Sequence, residues 1–123
     1  ISWHKDDCPE IKLSIIDVEG IEKETSWKLL GSAVNEVLLE NNYPEDRLLG
    51  QWWINKKDVP KGANTVPKKL LNYLWNDLLR HDEPTRHEIF KSSIKSFSML
   101  IRQNTKDLKK QIFSDEFLNK LVS

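Results

Sequence analysis

Glycine is scarce in this chain: Gly20, Gly31, Gly50 and Gly62 are the only ones. None lies in a glycine-rich run followed by Lys and Ser or Thr, so no phosphate-binding loop is encoded. Cysteine is scarcer still. Cys8 stands alone, which excludes an internal disulfide and points to a reducing compartment, the cytoplasm. No run of about 18 apolar residues occurs, so no membrane partner is expected. Charge of one sign is also missing: 19 Lys and Arg balance 19 Asp and Glu, which argues against the whole surface gripping nucleic acid while leaving room for a local basic patch.

The opening residues, Ile1-Ser2-Trp3-His4-Lys5-Asp6-Asp7, turn charged at once, unlike a secretory leader. They include no initiator methionine, and the expectation is a piece of a longer protein. A length of 123 residues fits one domain with a real core.

Apolar spacing sets the expected fold. Ile11, Leu13 and Ile15 alternate with Lys12, Ser14 and Ile16 as in a strand, with an exit turn over Asp17 to Gly20. Thr25 or Ser26 is placed to cap a first helix. Trp27, Leu30, Val34, Val37 and Leu38 then form one stripe, which Asn41, Asn42 and Pro44 terminate. Leu48 to Ile54 reads as a second short strand, a buried extended segment or a helical turn. A loop follows over residues 55–66, with Asn55, Asp58, Pro60, Gly62 and Asn64 as its turn formers.

Pro67 suits the start of a second helix, whose Leu70, Leu71, Leu74, Trp75, Leu78 and Leu79 define a wide buried face. Arg80 and His81 sit in its last turn, beside the negative end of the helix dipole. After a break at Asp82-Glu83-Pro84, a third helix is expected to carry Ile89, Phe90, Ile94, Phe97, Leu100 and Ile101. Asn104 or Thr105 ends it, and Ser114-Asp115 starts a last helix with Phe117, Leu118 and Leu121. The expectation is a single, mainly helical domain over residues 1–123: a small bundle of three to five helices with one or two short β-strands.

No catalytic set emerges. Leu13 to Glu19 ends in carboxylates as a magnesium-holding strand does, but no phosphate loop precedes it, and an ordinary strand exit accounts for it. His4, Asp6, Asp7 and Cys8 hold metal-capable atoms without the recurring spacing of a zinc site. His81-Asp82 resembles the metal pair of helical phosphohydrolases, but His4 and His87 are the only other histidines. No serine or cysteine sits in a nucleophile elbow. Asp6/Asp7 and Asp82/Glu83 lie in loops, where carboxylates are solvated rather than catalytic. No metal ligand is assigned.

One basic and aromatic cluster stands out. Lys56, Lys57, Lys61, Lys68 and Lys69 flank a single acid, Asp58, just after Trp52 and Trp53. Cations beside exposed aromatics grip single-stranded nucleic acid or a phosphate backbone. The plain alternative is a solvated lysine-rich loop over buried tryptophans, and exposure of the rings separates the two.

Asp46-Arg47-Leu48-Leu49-Gly50-Gln51-Trp52-Trp53 resembles a stretch in the C-terminal part of McrB-like AAA+ proteins, the GTPase motors of modification-dependent restriction endonucleases and their ATPase relatives. In that family a charged element leads into Ile or Leu and Gly, then His or Pro, then two aromatics. Gln51 departs from this pattern. The helix Lys68 to Asp77, with its Tyr73-Leu74-Trp75-Asn76-Asp77 ending, and the helix Trp27 to Leu39 containing Asn35, are similar to those flanking the family motif. The likeness covers about residues 25 to 82.

The resemblance implies a non-catalytic helical lid from the C-terminal end of an AAA+ motor. A preceding α/β core would hold GTP or ATP with magnesium. Neighbouring subunits would complete a ring, with a nuclease subunit and modified DNA as further partners. Arg47 would face the nucleotide or a neighbouring subunit, unless Glu45 or Asp46 pairs with it. A free-standing helical module that binds protein or nucleic acid through Trp52, Trp53 and the lysines is the other expectation.

Overall fold

The computed structural model describes residues 11–50, 53–58, 66–104 and 110–122, with Lys56 and Val122 placed by their backbone alone. It is a mainly helical domain with one two-stranded antiparallel sheet. The sheet pairs β1 (Lys12–Ile16) with β2 (Glu22–Ser26), Leu13 opposite Thr25 and Ile15 opposite Lys23. Leu13 and Ile15 point into the core while Lys12 faces solvent, as a half-buried strand requires.

The expected exit turn is thus the turn of a hairpin. One carboxylate oxygen of Asp17 accepts from the backbone N–H of both Glu19 and Ile21, each at 2.9 Å. Gly20 takes φ +80°, a conformation glycine adopts without steric cost. The second strand is therefore Glu22–Ser26; residues 48–50 and 53–54, the described part of the other candidate, form no strand.

Helix α1 (Trp27–Glu40) starts directly from β2. Ser26 Oγ accepts from Leu29 N at 3.2 Å, and Trp27 N donates to Ile11 O at 2.8 Å, tying the helix start to the strand. The helix ends in a Schellman motif. Tyr43 N donates to Leu38 O and Asn42 N to Leu39 O, while Asn42 adopts φ +65°; asparagine tolerates that left-handed geometry. The chain then makes a 3-10 turn at Glu45–Arg47, and Leu48 continues extended into a segment with no strand partner among the described residues. A second 3-10 turn spans Lys56–Asp58.

Helix α2 (Lys68–Asn72) widens without a break into a π-helical stretch, Tyr73–Leu78. Leu79 N donates to Leu74 O at 3.0 Å, five residues back. Helix α3 (Glu83–Ile89) is capped by Asp82, whose carboxylate accepts from Thr85 N at 3.3 Å, with Pro84 in the first turn.

The long third helix expected over Ile89 to Ile101 is two helices. At Phe90 the backbone turns extended (φ −101°, ψ 149°) and forms an antiparallel bridge with Phe113. Lys91 N donates to Ile112 O and Ser114 N to Ile89 O on either side of it. Helix α4 (Phe97–Gln103) restarts at Ser96, whose Oγ accepts from Met99 N. Periodic spacing continues through the break because Phe90 and Ile94 are buried on both sides of it. Helix α5 (Asp115–Val122) begins beside Ser114, as expected.

One core unites these elements. Trp27, Leu30, Val34 and Leu38 of α1 meet Leu13 and Ile15 of the sheet, Leu70 and Leu71 of α2, Leu74 of the π-helical stretch, and Phe117 and Leu121 of α5. Aromatic rings run from the π-helical turn to the last helix: Trp75 to Phe90 at 5.7 Å, Phe90 stacked on Phe113 at 5.9 Å, and Phe113 to Phe117 at 4.9 Å. Lys120 clamps α5 to α1 through Glu36 (2.8 Å) and Glu40 (3.2 Å). No helix among the described residues is long and apolar enough to cross a membrane.

Candidate functional site

The segment that follows Arg47 is fixed to α1 by one side chain. Asn35, only 7% exposed, donates through Nδ2 to Leu49 O at 2.8 Å and accepts at Oδ1 from Leu49 N at 2.7 Å. Its amide thus satisfies both backbone groups of a buried residue that has no strand to pair with. Such groups are costly when left unmade. Immediately upstream, Tyr43 closes the other end of the loop. Its hydroxyl donates to Asp82 Oδ2 at 2.6 Å, joining the end of α1 to the start of α3.

This contact sets the ionisation of both groups. Burial pushes the Tyr43 hydroxyl up to about 12, and the hydrogen bond to Asp82 adds to the shift. Asp82 is held below its ordinary value chiefly by that hydrogen bond; burial opposes it, and the bonds to Thr85 and the nearby Arg86 charge add to the lowering. Burial also raises the hydroxyl of Tyr73, while nearby Arg47 acts to lower it.

Arg47 itself is exposed, on the 3-10 turn between these two anchors. It forms no ion pair with Glu45 or Asp46, so the neutralising contact allowed by the sequence is not made. It stands instead on the lip shared by two hollows. One, of about 470 Å³, is lined by Arg47, Tyr73, Asn76, Asp77, Arg80 and His81 among others. The second, of about 370 Å³, lies toward Tyr43 and Asp82. Four residues of the π-helical stretch line the first hollow: Tyr73, Asn76, Asp77 and Leu78.

The tryptophan and lysine cluster is arranged differently. Trp53 is half-buried, 5.1 Å from the ring of Tyr73. Lys69 folds over it: Nζ lies 4.8 Å from the ring centroid, donates to Trp53 O at 2.8 Å and comes within 3.8 Å of Asp58. Lys69 is therefore engaged by its own chain and covers the ring that would stack on a base. Lys57 and Lys68 are exposed. Trp52, Lys61 and the side chain of Lys56 lie outside the described residues, as do His4, Asp6, Asp7 and Cys8.

In the His81-Asp82 pair, Asp82 serves as helix cap and as acceptor for Tyr43. Asp17, the carboxylate at the strand end, is likewise taken up by the hairpin turn. Among the described residues no group of three or more His, Cys, Asp or Glu could hold a metal ion. Sequence spacing missed the convergence of Arg47 with Arg80 and His81, which needs the π-helical stretch and its end placed beside the Glu45–Arg47 turn. The only signal was that all three are cation-capable and flank helix ends. No protein-family model matches this chain, and neither does any curated protein or solved structure.

Proposed function

We propose that this chain is the helical lid of a McrB-like AAA+ motor, a part that closes over a nucleotide and does not itself hydrolyse it. The observation that carries the reading is the presentation of Arg47. The Asn35–Leu49 clamp and the Tyr43–Asp82 bond brace the loop on both sides of it, leaving an exposed guanidinium without an ion-pair partner among the described residues. A braced, uncommitted arginine suits a role in reaching a phosphate or an acidic group on a neighbouring subunit. Exposed Val18, Ile21, Leu29 and Leu39, each near half accessible, are apolar positions that an adjoining α/β core would cover.

On this reading the core and the neighbouring subunits of a ring are the immediate partners, and a nuclease subunit and modified DNA are the further ones. GTP or ATP with magnesium is held by the core, since the glycines here provide no phosphate loop. The setting is cytoplasmic. The alternative, a free-standing module that binds through Trp52, Trp53 and the lysines, is weakened by Lys69 lying across Trp53.

The coding sequence immediately upstream provides the direct test. An in-frame phosphate loop and magnesium-binding strand are expected there, and in the full motor Arg47→Ala should cut nucleotide hydrolysis at least about tenfold. An unrelated upstream domain, or tight magnesium-dependent triphosphate binding by this chain alone, overturns the proposal.

A further inference from the structure

We propose that the hollow bounded by Arg47, Arg80 and His81 is an anion site that takes a phosphomonoester. Two guanidiniums and an imidazole line it against a single carboxylate, Asp77. Neither arginine nor His81 is engaged in an ion pair among the described residues. Guanidiniums match the oxygens of phosphate with paired N–H groups, which a point charge does not.

The helix end beside the hollow would ordinarily claim these cations. A helix C-terminus presents unpaired carbonyls and partial negative charge, and Arg80 and His81 sit where a cation would offset it. That role belongs to Arg86. Its Nη1 donates to both Leu79 O and Arg80 O, each at 3.4 Å, while its guanidinium lies 4.5 Å from the centre of the Trp75 ring. With these two carbonyls held by Arg86, Arg80 and His81 are left to serve the hollow.

The backbone supplies a second pointer. The helix facing the hollow is wound as a π-helix over Tyr73–Leu78, a geometry that is rare and concentrated at functional sites. The wider winding puts Tyr73, Asn76 and Asp77 on the wall of the hollow together. Asn76 donates through Nδ2 to Asn72 Oδ1. A volume of about 470 Å³ exceeds what a bare phosphate needs and falls in the range of small-molecule sites. The organic part of a phosphomonoester would lie along Tyr73. The site does not depend on the lid reading, since it requires neither a core nor magnesium.

Two-dimensional amide NMR on the whole chain, without magnesium, tests the proposal. Inorganic phosphate, a nucleoside monophosphate and a short single-stranded oligonucleotide serve as probes. Saturable shifts at Arg47, Asn76, Arg80 and His81 are expected with phosphate or the monophosphate. Tighter binding of the monophosphate identifies an organic ligand, and equal binding identifies free phosphate. Arg47→Ala and Arg80→Ala should each weaken binding about tenfold, the worth of one charge-assisted contact. Lys57→Ala and Lys68→Ala should leave it unchanged. All four side chains are exposed, and His81→Ala gives an independent variant should one of the arginine changes disturb folding.

The proposal is overturned by no saturable binding up to about 10 mM, by binding that survives both arginine changes, or by binding of the oligonucleotide alone with a steep salt dependence. None of these outcomes bears on the upstream coding sequence, so the two proposals fail separately.

Discussion

Asn35 spends both ends of its amide on one residue, Leu49, which lies 14 positions along the chain. The pair replaces a missing strand partner: a side chain on a helix satisfies the N–H and C=O of an extended residue that is 1% exposed. This pair holds the downstream end of the loop carrying Arg47.

Replacing Asn35 with Ala should therefore leave two buried backbone groups unpaired. A loss of about 3 kcal/mol is expected, the sum of two modest hydrogen bonds and the desolvation they offset. Urea unfolding measures it. A loss below about 0.5 kcal/mol, the level of a neutral surface change, would mean that water or another group takes over the pairing.

The Tyr43–Asp82 bond predicts a pH dependence at both extremes. The Tyr43 hydroxyl is raised from 10.0 to about 12 in the fold, so its neutral form is favoured there. Its contribution to stability is complete below pH 10 and is lost as pH climbs from 10 toward 12. Asp82 is lowered from 3.8, so its contribution is complete above that value and is lost as pH falls through the lower folded value. Tyr43→Phe should flatten the alkaline limb of a stability–pH curve. In a Tyr73→Phe background, ultraviolet titration should show Tyr43 ionising well above pH 10, and persistence of ordinary titration would remove the basis for the claim.

Truncating Phe113 tests the aromatic chain. Its ring touches Phe90 and Phe117, and its backbone forms the bridge at the break between α3 and α4. Phe113→Ala should cost about 3 to 5 kcal/mol, and calorimetry should show a lower, broader transition. Phe113→Leu should recover most of the loss, because the bridge depends on the backbone and the core chiefly needs filling.

Lys69→Ala should open the face of Trp53. Quenching of tryptophan fluorescence by acrylamide should increase, while stability falls by only about 1 kcal/mol, since the cation, the ring and Asp58 are all partly solvated. Unchanged quenching would show that Tyr73 alone shields the ring.

Much of the helical frame was legible in the sequence. Trp27, Leu30, Val34, Val37 and Leu38 are all buried as their spacing required, and Asn41-Asn42 ends α1 where expected, in a cap only a few residue types tolerate. The stripe of α2 from Leu70 to Leu79 was equally plain. Three features were not. Strand β2 is Glu22-Lys23-Glu24-Thr25-Ser26, whose charged residues face solvent, so it lacks the apolar alternation that marks a strand. The break at Phe90 depends on Phe113, a partner too far along the chain for any local window. The hollow beside Arg47 needs two segments distant in sequence to pack together, and the π winding at its wall leaves no trace in apolar spacing.

The Phe90–Phe113 bridge has a bearing on how this chain reaches its native state. It fastens the tail to the middle across a long closed loop, and forming that loop costs entropy before any neighbouring contact can offset it. With the Lys120–Glu36 pair, which spans 84 positions, it gives the bundle a share of non-local pairing that slows folding relative to a bundle built only from sequence neighbours.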